Sequence, residues 1–371
     1  MLFLAGDIGG TKALFQLVDY NVDSFEMRSI GQQRYLCHEF DSLESIISLF
    51  LSSLGLDSPF VESACFGLPG PVTDSRVVQL TNLPWVVDAL KIEQACSIQT
   101  VSFVNDFYAA ALGVEMLTEQ DIFPLYLPDG VTKQQSLKSN GHRLVVGAGT
   151  GLGVAPVFFN GECYRPIGSE GGHFDFAPIS ETQQYLLTWL WKQWEHVSYE
   201  RVLSGPGLET LYQFFQVFDC PTTYSCEDLT NVYKNHYYNT QKDSLGSLIA
   251  DKLVEHKPDA LSAVEIYQAA EQGDPVAVMA LTEFVTIYGA FVGAVALVWN
   301  APQGVYLAGG IAGKLINWMQ KPVFQKAFLE KGRMSRVVAN MPVYLVTDET
   351  LGLRGAMHQN FIMWQAQNRA Y

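Results

Sequence analysis

The chain has 371 residues, 23 basic against 38 acidic side chains, and a formal net charge of −15. Length predicts about two domains, and 48% hydrophobic with 16% charged residues excludes a disordered chain. The acidity excludes nucleic acid and anionic membrane surfaces as partners, because both demand a basic face.

The first apolar segments, residues 2–5 and 13–20, read as strands joined by Gly6-Asp7-Ile8-Gly9-Gly10-Thr11-Lys12. With no basic stretch before it and Asp7 soon after, residues 2–5 read as a buried strand rather than an export signal. Asp41 is the expected cap of a helix bearing Leu43, Ile46, Ile47, Phe50 and Leu51 at the 3.6-residue period. Short strands are expected at 63–67 and 101–104, then a helix over 107–116. The plan then repeats. Strands at 143–146 and 154–159 flank Gly147-Ala148-Gly149-Thr150-Gly151-Leu152-Gly153. Helices are expected over 181–194 and 208–218. Residues 217–258 are polar, tyrosine-rich and weakly periodic, and read as an insertion.

The apolar stretch 276–299 is long enough to cross a bilayer. Asp274-Pro275 before it is a soluble-helix start, and no Lys/Arg cluster flanks it, so a core helix is expected. Strands follow at 304–308 and 343–346, and a closing helix at 351–365. The six cysteines (Cys37, Cys65, Cys96, Cys163, Cys220 and Cys226) form no CxxC pair and read as reduced cytoplasmic thiols. The class is α/β with helices on mixed sheets.

Glycine turns between strands can aim backbone N–H groups at phosphate, because a Cβ would block the approach. In the first turn, Asp7 suits a Mg²⁺ ion or its water shell, and Thr11 suits a phosphate oxygen. A tight hairpin with a capping Asp is the plainer reading. The second turn lacks the GK[ST] of a Walker loop, and a strand rather than a helix follows it, so it is no dinucleotide fingerprint. Ala308-Gly309-Gly310-Ile311 ends a strand and opens a helix, which suits the adenosine end or α-phosphate of a nucleotide.

This ordered set resembles the sugar-kinase, actin and Hsp70 superfamily, and more closely the bacterial glucokinases. The matching stretches are GDIGGTK (6–12), GLPGPV (67–72), LTNLPW (80–85), VNDF (104–107), GAGTGLGVA (147–155), GSEGGHFDFAP (168–178), ERVLSGPGL (200–208), AGGI (308–311) and KGR (331–333). The resemblance implies two RNase H-like, actin-like ATPase domains with a cleft between them. The small one takes 1–107 plus about 350–371, and the large one 108–349 with an insertion near 217–262. It implies ATP and Mg²⁺, glucose as acceptor, and a cytoplasmic homodimer.

The resemblance also implies roles. Asp106 is the general base for the sugar 6-hydroxyl; a plain helix N-cap is the competing reading. Asn105, Glu170, His173 and Glu200 bind sugar hydroxyls, with Asn105 offering both a donor and an acceptor. The nucleotide set is Gly6, Asp7, Gly9, Gly10, Thr11, Gly147, Gly149, Thr150, Gly151, Gly309 and Gly310, with Asp7 holding Mg²⁺ through water. Thr81, Asn82 and Trp85 lie in a loop that closes over the sugar, with Trp85 as stacking platform or core aromatic. His196 reads as a solvated or core-satisfied residue. No cysteine cluster follows His173, which sets the chain apart from the zinc-bearing repressor-like group. Another hexose as acceptor, or a sugar-sensing regulator on the same fold, are the alternatives. The bulk charge predicts that ATP association speeds up with salt. A fall with salt would mean a local positive funnel, with Lys12, Lys331 and Arg333 as its candidates.

Overall fold

The computed structural model describes every residue except 23, 25, 57–58, 71, 73–75, 81–82, 139, 219–259 and 369–371. Thr81, Asn82, Cys220, Cys226 and nearly all of the expected insertion therefore lie outside the described residues.

Thirteen described strands form two large sheets and a small one. The strands are β1 (Leu2–Ile8), β2 (Lys12–Asn21), β3 (Glu26–Leu36), β4 (Ser63–Leu68), β5 (Val77–Gln79), β6 (Val86–Asp88), β7 (Val101–Asn105), β8 (Ile122–Tyr126), β9 (Arg143–Ala148), β10 (Leu152–Phe159), β11 (Tyr164–Pro166), β12 (Gly304–Ala308) and β13 (Val343–Val346). The first sheet has the order β3-β2-β1-β4-β7 and the second β11-β10-β9-β12-β13-β8, with β5-β6 a separate ribbon. In each large sheet an antiparallel triplet is followed by a parallel pair. The two glycine turns thus occupy equivalent corners of equivalent sheets, as the actin-like fold class requires.

The helices are α1 (Leu43–Ser53), α2 (Ala89–Cys96), α3 (Asp106–Gly113), α4 (Lys133–Lys138), α5 (Glu181–Leu190), α6 (Gly205–Val217), α7 (Ala263–Glu271), α8 (Pro275–Trp299), α9 (Gly310–Lys314), α10 (Ile316–Met319), α11 (Pro322–Leu329), α12 (Ser335–Val338) and α13 (Leu351–Asn368). The cap of α1 is Ser42, whose hydroxyl accepts from the Ser45 amide, and not Asp41 one residue earlier. The α5 helix ends four residues sooner than its apolar pattern suggested.

The long apolar helix starts as its sequence dictates. Asp274 Oδ1 accepts from the Ala277 amide at 2.7 Å, Pro275 opens the first turn, and Asn300 in the left-handed region closes the last. Its side chains are buried in the core of the second sheet, packed against α6, α7 and α11. A mostly buried helix of this kind is a core element rather than a lipid-facing one.

The chain's last helix packs on α3 and on β1 and β4 of the first sheet. Asn360, fully buried, donates to the carbonyls of Leu4 and Ser63, both at 3.0 Å, and accepts from the Ser63 hydroxyl at 2.5 Å. A buried amide satisfied on every side specifies one docking position for α13.

Candidate active site

The β1–β2 corner, the start of α3, the β12–α9 corner and the β13–α13 loop enclose a cavity of about 600 Å³. It is lined by Asp7, Gly9, Lys12, Asp106, Gly309 and Gly310, all carried there by strand ends.

Asp106 is the first residue of α3, directly after β7. The helix cap is Asn105, not Asp106: Asn105 Oδ1 accepts from the Phe107 and Tyr108 amides at 2.9 and 3.1 Å. Asp106 Oδ1 accepts from the Phe107 amide at 2.8 Å, so that oxygen is held by its own helix. Burial pushes the Asp106 carboxyl up to about 7; the Phe107 amide pulls it back, and the charges of Asp7 and Glu170 raise it further. Asn105 is less free than expected. Its oxygen is spent on the helix, and one amide N–H goes to the Gly70 carbonyl at 3.0 Å. One N–H remains for a ligand, so it is a donor only.

Asp7 lies at the end of β1 under the first turn of α13, where any side chain on Gly352 would strike its carboxylate, 2.6 Å from the Cβ position. Burial raises its carboxyl to about 6, and Arg34 opposes the shift. Two carboxyl groups that repel one another in one cavity suit a divalent cation. Among the described residues no group of three or more His, Cys, Asp or Glu side chains makes a metal cage. The Asp7 and Asp106 carboxylates in the cavity lining fit Mg²⁺, which takes one or two carboxylates, keeps its waters and binds substrate phosphates.

The expected nucleotide set divides. Gly6 lies inside β1, buried, with Phe66 2.6 Å and Phe15 3.0 Å from its Cβ position, so it is a packing glycine closed to a nucleotide. The Gly9 amide is committed to the Lys12 carbonyl at 2.8 Å, which leaves Gly10 and Thr11 at the tip of the turn. Gly147 is buried in β9 beneath the Phe107 ring, which also covers Gly153; a Cβ on Gly147 would sit 2.6 Å from that ring. The Gly149 amide bonds the Gly151 carbonyl, and the Gly149 carbonyl accepts from Gly205, each at 2.8 Å. Thr150 is left exposed at the tip of that corner. Gly309 needs its glycine for a φ of 90° and for the Ala148 carbonyl, 2.7 Å from its Cβ position. Gly310 is open, with nothing within 4 Å.

Glu170, His173 and Glu200 gather beside the second corner, outside the lining of the cavity. Glu200 Oε2 accepts from the Leu152 amide at 2.9 Å and fills the space a side chain on Gly151 would take. The Gly171–His173 turn presses its Gly172 against the Leu152 carbonyl. The Tyr199 amide donates to Phe174 at 2.9 Å, tying the two loops together. Glu170 and His173 are exposed, and Glu170 is near enough to act on Asp106. His196 is exposed and pairs with the exposed Asp175 at 2.9 Å. Trp85 is 5% exposed in the first-sheet core, which makes it a core aromatic.

Four cavity residues carried no sequence signal. Arg34 on β3 reaches Glu349 of the β13–α13 loop at 3.2 Å. Asp348 accepts from Arg354 at 2.7 Å, and Lys314 ends α9. The cations of the cavity are therefore Lys12, Arg34 and Lys314. Lys331 is instead half-buried beside α8, donating to the Ala327 carbonyl at 2.6 Å, and neither it nor Arg333 lines the cavity.

Residues 4–361 match the family model described as Glucokinase. The chain is 35% identical over 357 residues to a glucokinase of Nostoc punctiforme, covering 96% of this chain and 97% of that one. A solved glucokinase from an Antarctic psychrotroph superposes with a TM-score of 0.71 at 26% identity, over 97% and 98% of the two chains. A ROK family glucokinase from Streptomyces griseus, solved with glucose and AMPPNP, superposes with a TM-score of 0.57 at 20% identity, over 97% and 99%. That last likeness is one of fold.

Proposed function

This chain belongs to the glucokinase family, and from that premise we propose how its residues divide the transfer of the ATP γ-phosphate to the 6-hydroxyl of glucose. Asp106 is the general base. The observation that carries this is its setting: a largely buried carboxyl at the mouth of α3, one oxygen held by its own helix, its pKa raised to about 7. A base poised near the working pH accepts a proton efficiently while the bond to phosphorus forms.

The triphosphate lies between the Gly10-Thr11 tip and Gly309-Gly310, with Lys12, Arg34 and Lys314 around it. Mg²⁺ bound with the nucleotide supplies charge neutralisation on the phosphates, and Asp7 holds it through water. Glu170, His173, Glu200 through its remaining oxygen, and the spare Asn105 N–H take the sugar hydroxyls. Because the sugar residues stand at one corner and the nucleotide residues at the other, closure of the cleft aligns acceptor and donor and excludes water.

The domain division proposed is 1–107 with about 350–371 against 108–349; the contacts of α13 with β1 and β4 support it. A cytoplasmic setting fits the free thiols of Cys37, Cys65 and Cys96. Homodimerisation rests on the resemblance alone and is tested by sedimentation.

The decisive experiment is Asp106→Ala with a coupled assay and glucose calorimetry side by side. Lost turnover with retained glucose binding is expected. Turnover near the wild-type rate would overturn the assignment.

A further inference from the structure

Cys37 stands where β3 ends, as the first residue of the short turn Cys37–Glu39. It is fully buried in the core that the first sheet shares with α1, and it does not line the cavity. Two hydrogen bonds run from this one residue to the β1–β2 turn. The Cys37 amide donates to the Thr11 carbonyl at 2.9 Å. The Cys37 thiol donates to the Gly9 carbonyl, with Sγ 3.5 Å from the oxygen. A third bond, from the Gly9 amide to the Lys12 carbonyl at 2.8 Å, closes the turn on itself.

The other side of the turn follows from peptide geometry. The described peptide bonds are all trans, and a trans peptide holds its N–H opposite its C=O. With the Gly9 and Thr11 carbonyls aimed at Cys37, the Gly10 and Lys12 N–H groups point away from it. Cys37 fills the core side of the turn, and Gly9 and Lys12 line the cavity on the other. Backbone amides turned together towards a cavity suit phosphate oxygens.

We propose that Cys37 is a positioning residue of the nucleotide site: its thiol and its amide hold the Gly9 and Thr11 carbonyls so that the Gly10 and Lys12 amides meet the phosphates of ATP. This rests on the reading of the β1–β2 turn as the triphosphate site. The thiol acts through its hydrogen and not as a nucleophile. Burial pushes its pKa up, so the hydrogen stays in place at neutral pH. Without the S–H the Gly9–Gly10 peptide can rotate, and the Gly10 amide loses its direction. The bond from the Cys37 amide survives any change of side chain, so the Lys12 amide keeps its own. Loss of the thiol therefore weakens ATP binding without abolishing it.

The test uses the full chain. Cys37→Ala removes the donor with little loss of volume, and Cys37→Ser supplies a stronger donor at the same place. Lys12→Met removes the cation of the turn and leaves Cys37 untouched. The expected result for Cys37→Ala is an ATP KM raised about fivefold, with kcat and the glucose KM unchanged. Cys37→Ser is expected to return the ATP KM to near the wild-type value. Adenosine, which has no phosphate, should bind wild type and Cys37→Ala equally in calorimetry. A cysteine that only packs the core would lower the melting temperature and leave the ATP KM of the folded enzyme unchanged, which overturns the proposal. Lys12→Met separates the two readings. A raised ATP KM there with none in Cys37→Ala removes the role of Cys37 and leaves the phosphate site standing. No rise in either variant removes the phosphate site, and the role of Cys37 with it. Should Cys37→Ala fail to fold, the unsubstituted chain decides the matter. Because the thiol is buried, its alkylation by N-ethylmaleimide requires the turn to open. Followed at Cys37 by peptide mass spectrometry, that reaction should be at least about fivefold slower with saturating ATP than with saturating adenosine. Equal rates overturn the proposal.

Discussion

The two glycine corners stand at equivalent places in equivalent sheets, yet their glycines do different work. At the β1–β2 corner the turn opens on a cavity, and cations from β2, β3 and α9 stand around it. At the β9–β10 corner the missing side chains make room for protein. Phe107 covers Gly147 and Gly153, Glu200 fills the space at Gly151, and Gly205 ties down the Gly149 carbonyl. The first corner is shaped for a ligand and the second for the residues that face one. A glycine-rich turn therefore signals close approach, and only the structure says what approaches.

Five experiments bear on this contrast, from the largest expected effect downward. Asp106→Ala removes the base the two corners share and should lower kcat by about 10³-fold, read in a coupled assay. Next comes Gly153→Ala. Its Cβ collides with the Phe107 ring, the residue after the base, and should lower kcat by about 10²-fold through misplacement of Asp106. Gly310→Ala, in open space, should leave stability unchanged and raise only the ATP KM. If both glycine variants behaved alike, the distinction between the corners would fail.

The third experiment concerns pH. Burial raises the Asp106 carboxyl from 3.8 to about 7 in the folded chain. Its contribution therefore favours the fold fully when protonated, below about pH 4, and drains away as pH climbs towards 7. Asp106→Asn should be more stable than wild type at pH 8 by on the order of 4 kcal/mol, with the gap closing in acid. Denaturant melts at both pH values measure it. A gap that widened in acid would contradict the burial argument. Smaller still, Glu349→Gln should release Arg34 and lower the ATP KM a few-fold. Last, Lys314→Ala should slow ATP association at low salt, and the difference should vanish at high salt. Stopped-flow rates across a salt series would show it.

Much of this was legible in residues 1–371 read alone. Apolar runs flanking glycine turns marked β1, β2, β9 and β10, and Asp274-Pro275 marked the start of α8. Motif order placed Asp106 at a strand end. What stayed hidden has physical reasons. β3 is exposed on nearly every residue, so it shows no apolar alternation, and Arg34 went unnoticed with it. Gly6 looked like part of a phosphate turn because its phenylalanine neighbours come from β2 and β4, contacts that sequence spacing does not reveal. Phe107 sat in plain view inside VNDF, yet its task depends on glycines some forty residues away. Lys331 carried a charge that suggested a funnel, and burial beside α8 gave it a structural use instead.

The bonds from Asn360 to Leu4 and Ser63 also bear on how the molecule is made. Asn360 follows Leu4 by 356 residues. At ribosomal rates of about 5–20 residues per second, that interval is on the order of tens of seconds. During it, β1 and β4 can pair while the face that holds Phe3, Ala5 and Cys65 waits for Leu353, Ala356 and Met357. The nascent first sheet therefore shows an apolar surface to the cell until the last helix leaves the ribosome. Its client period for a chaperone should end when α13 docks.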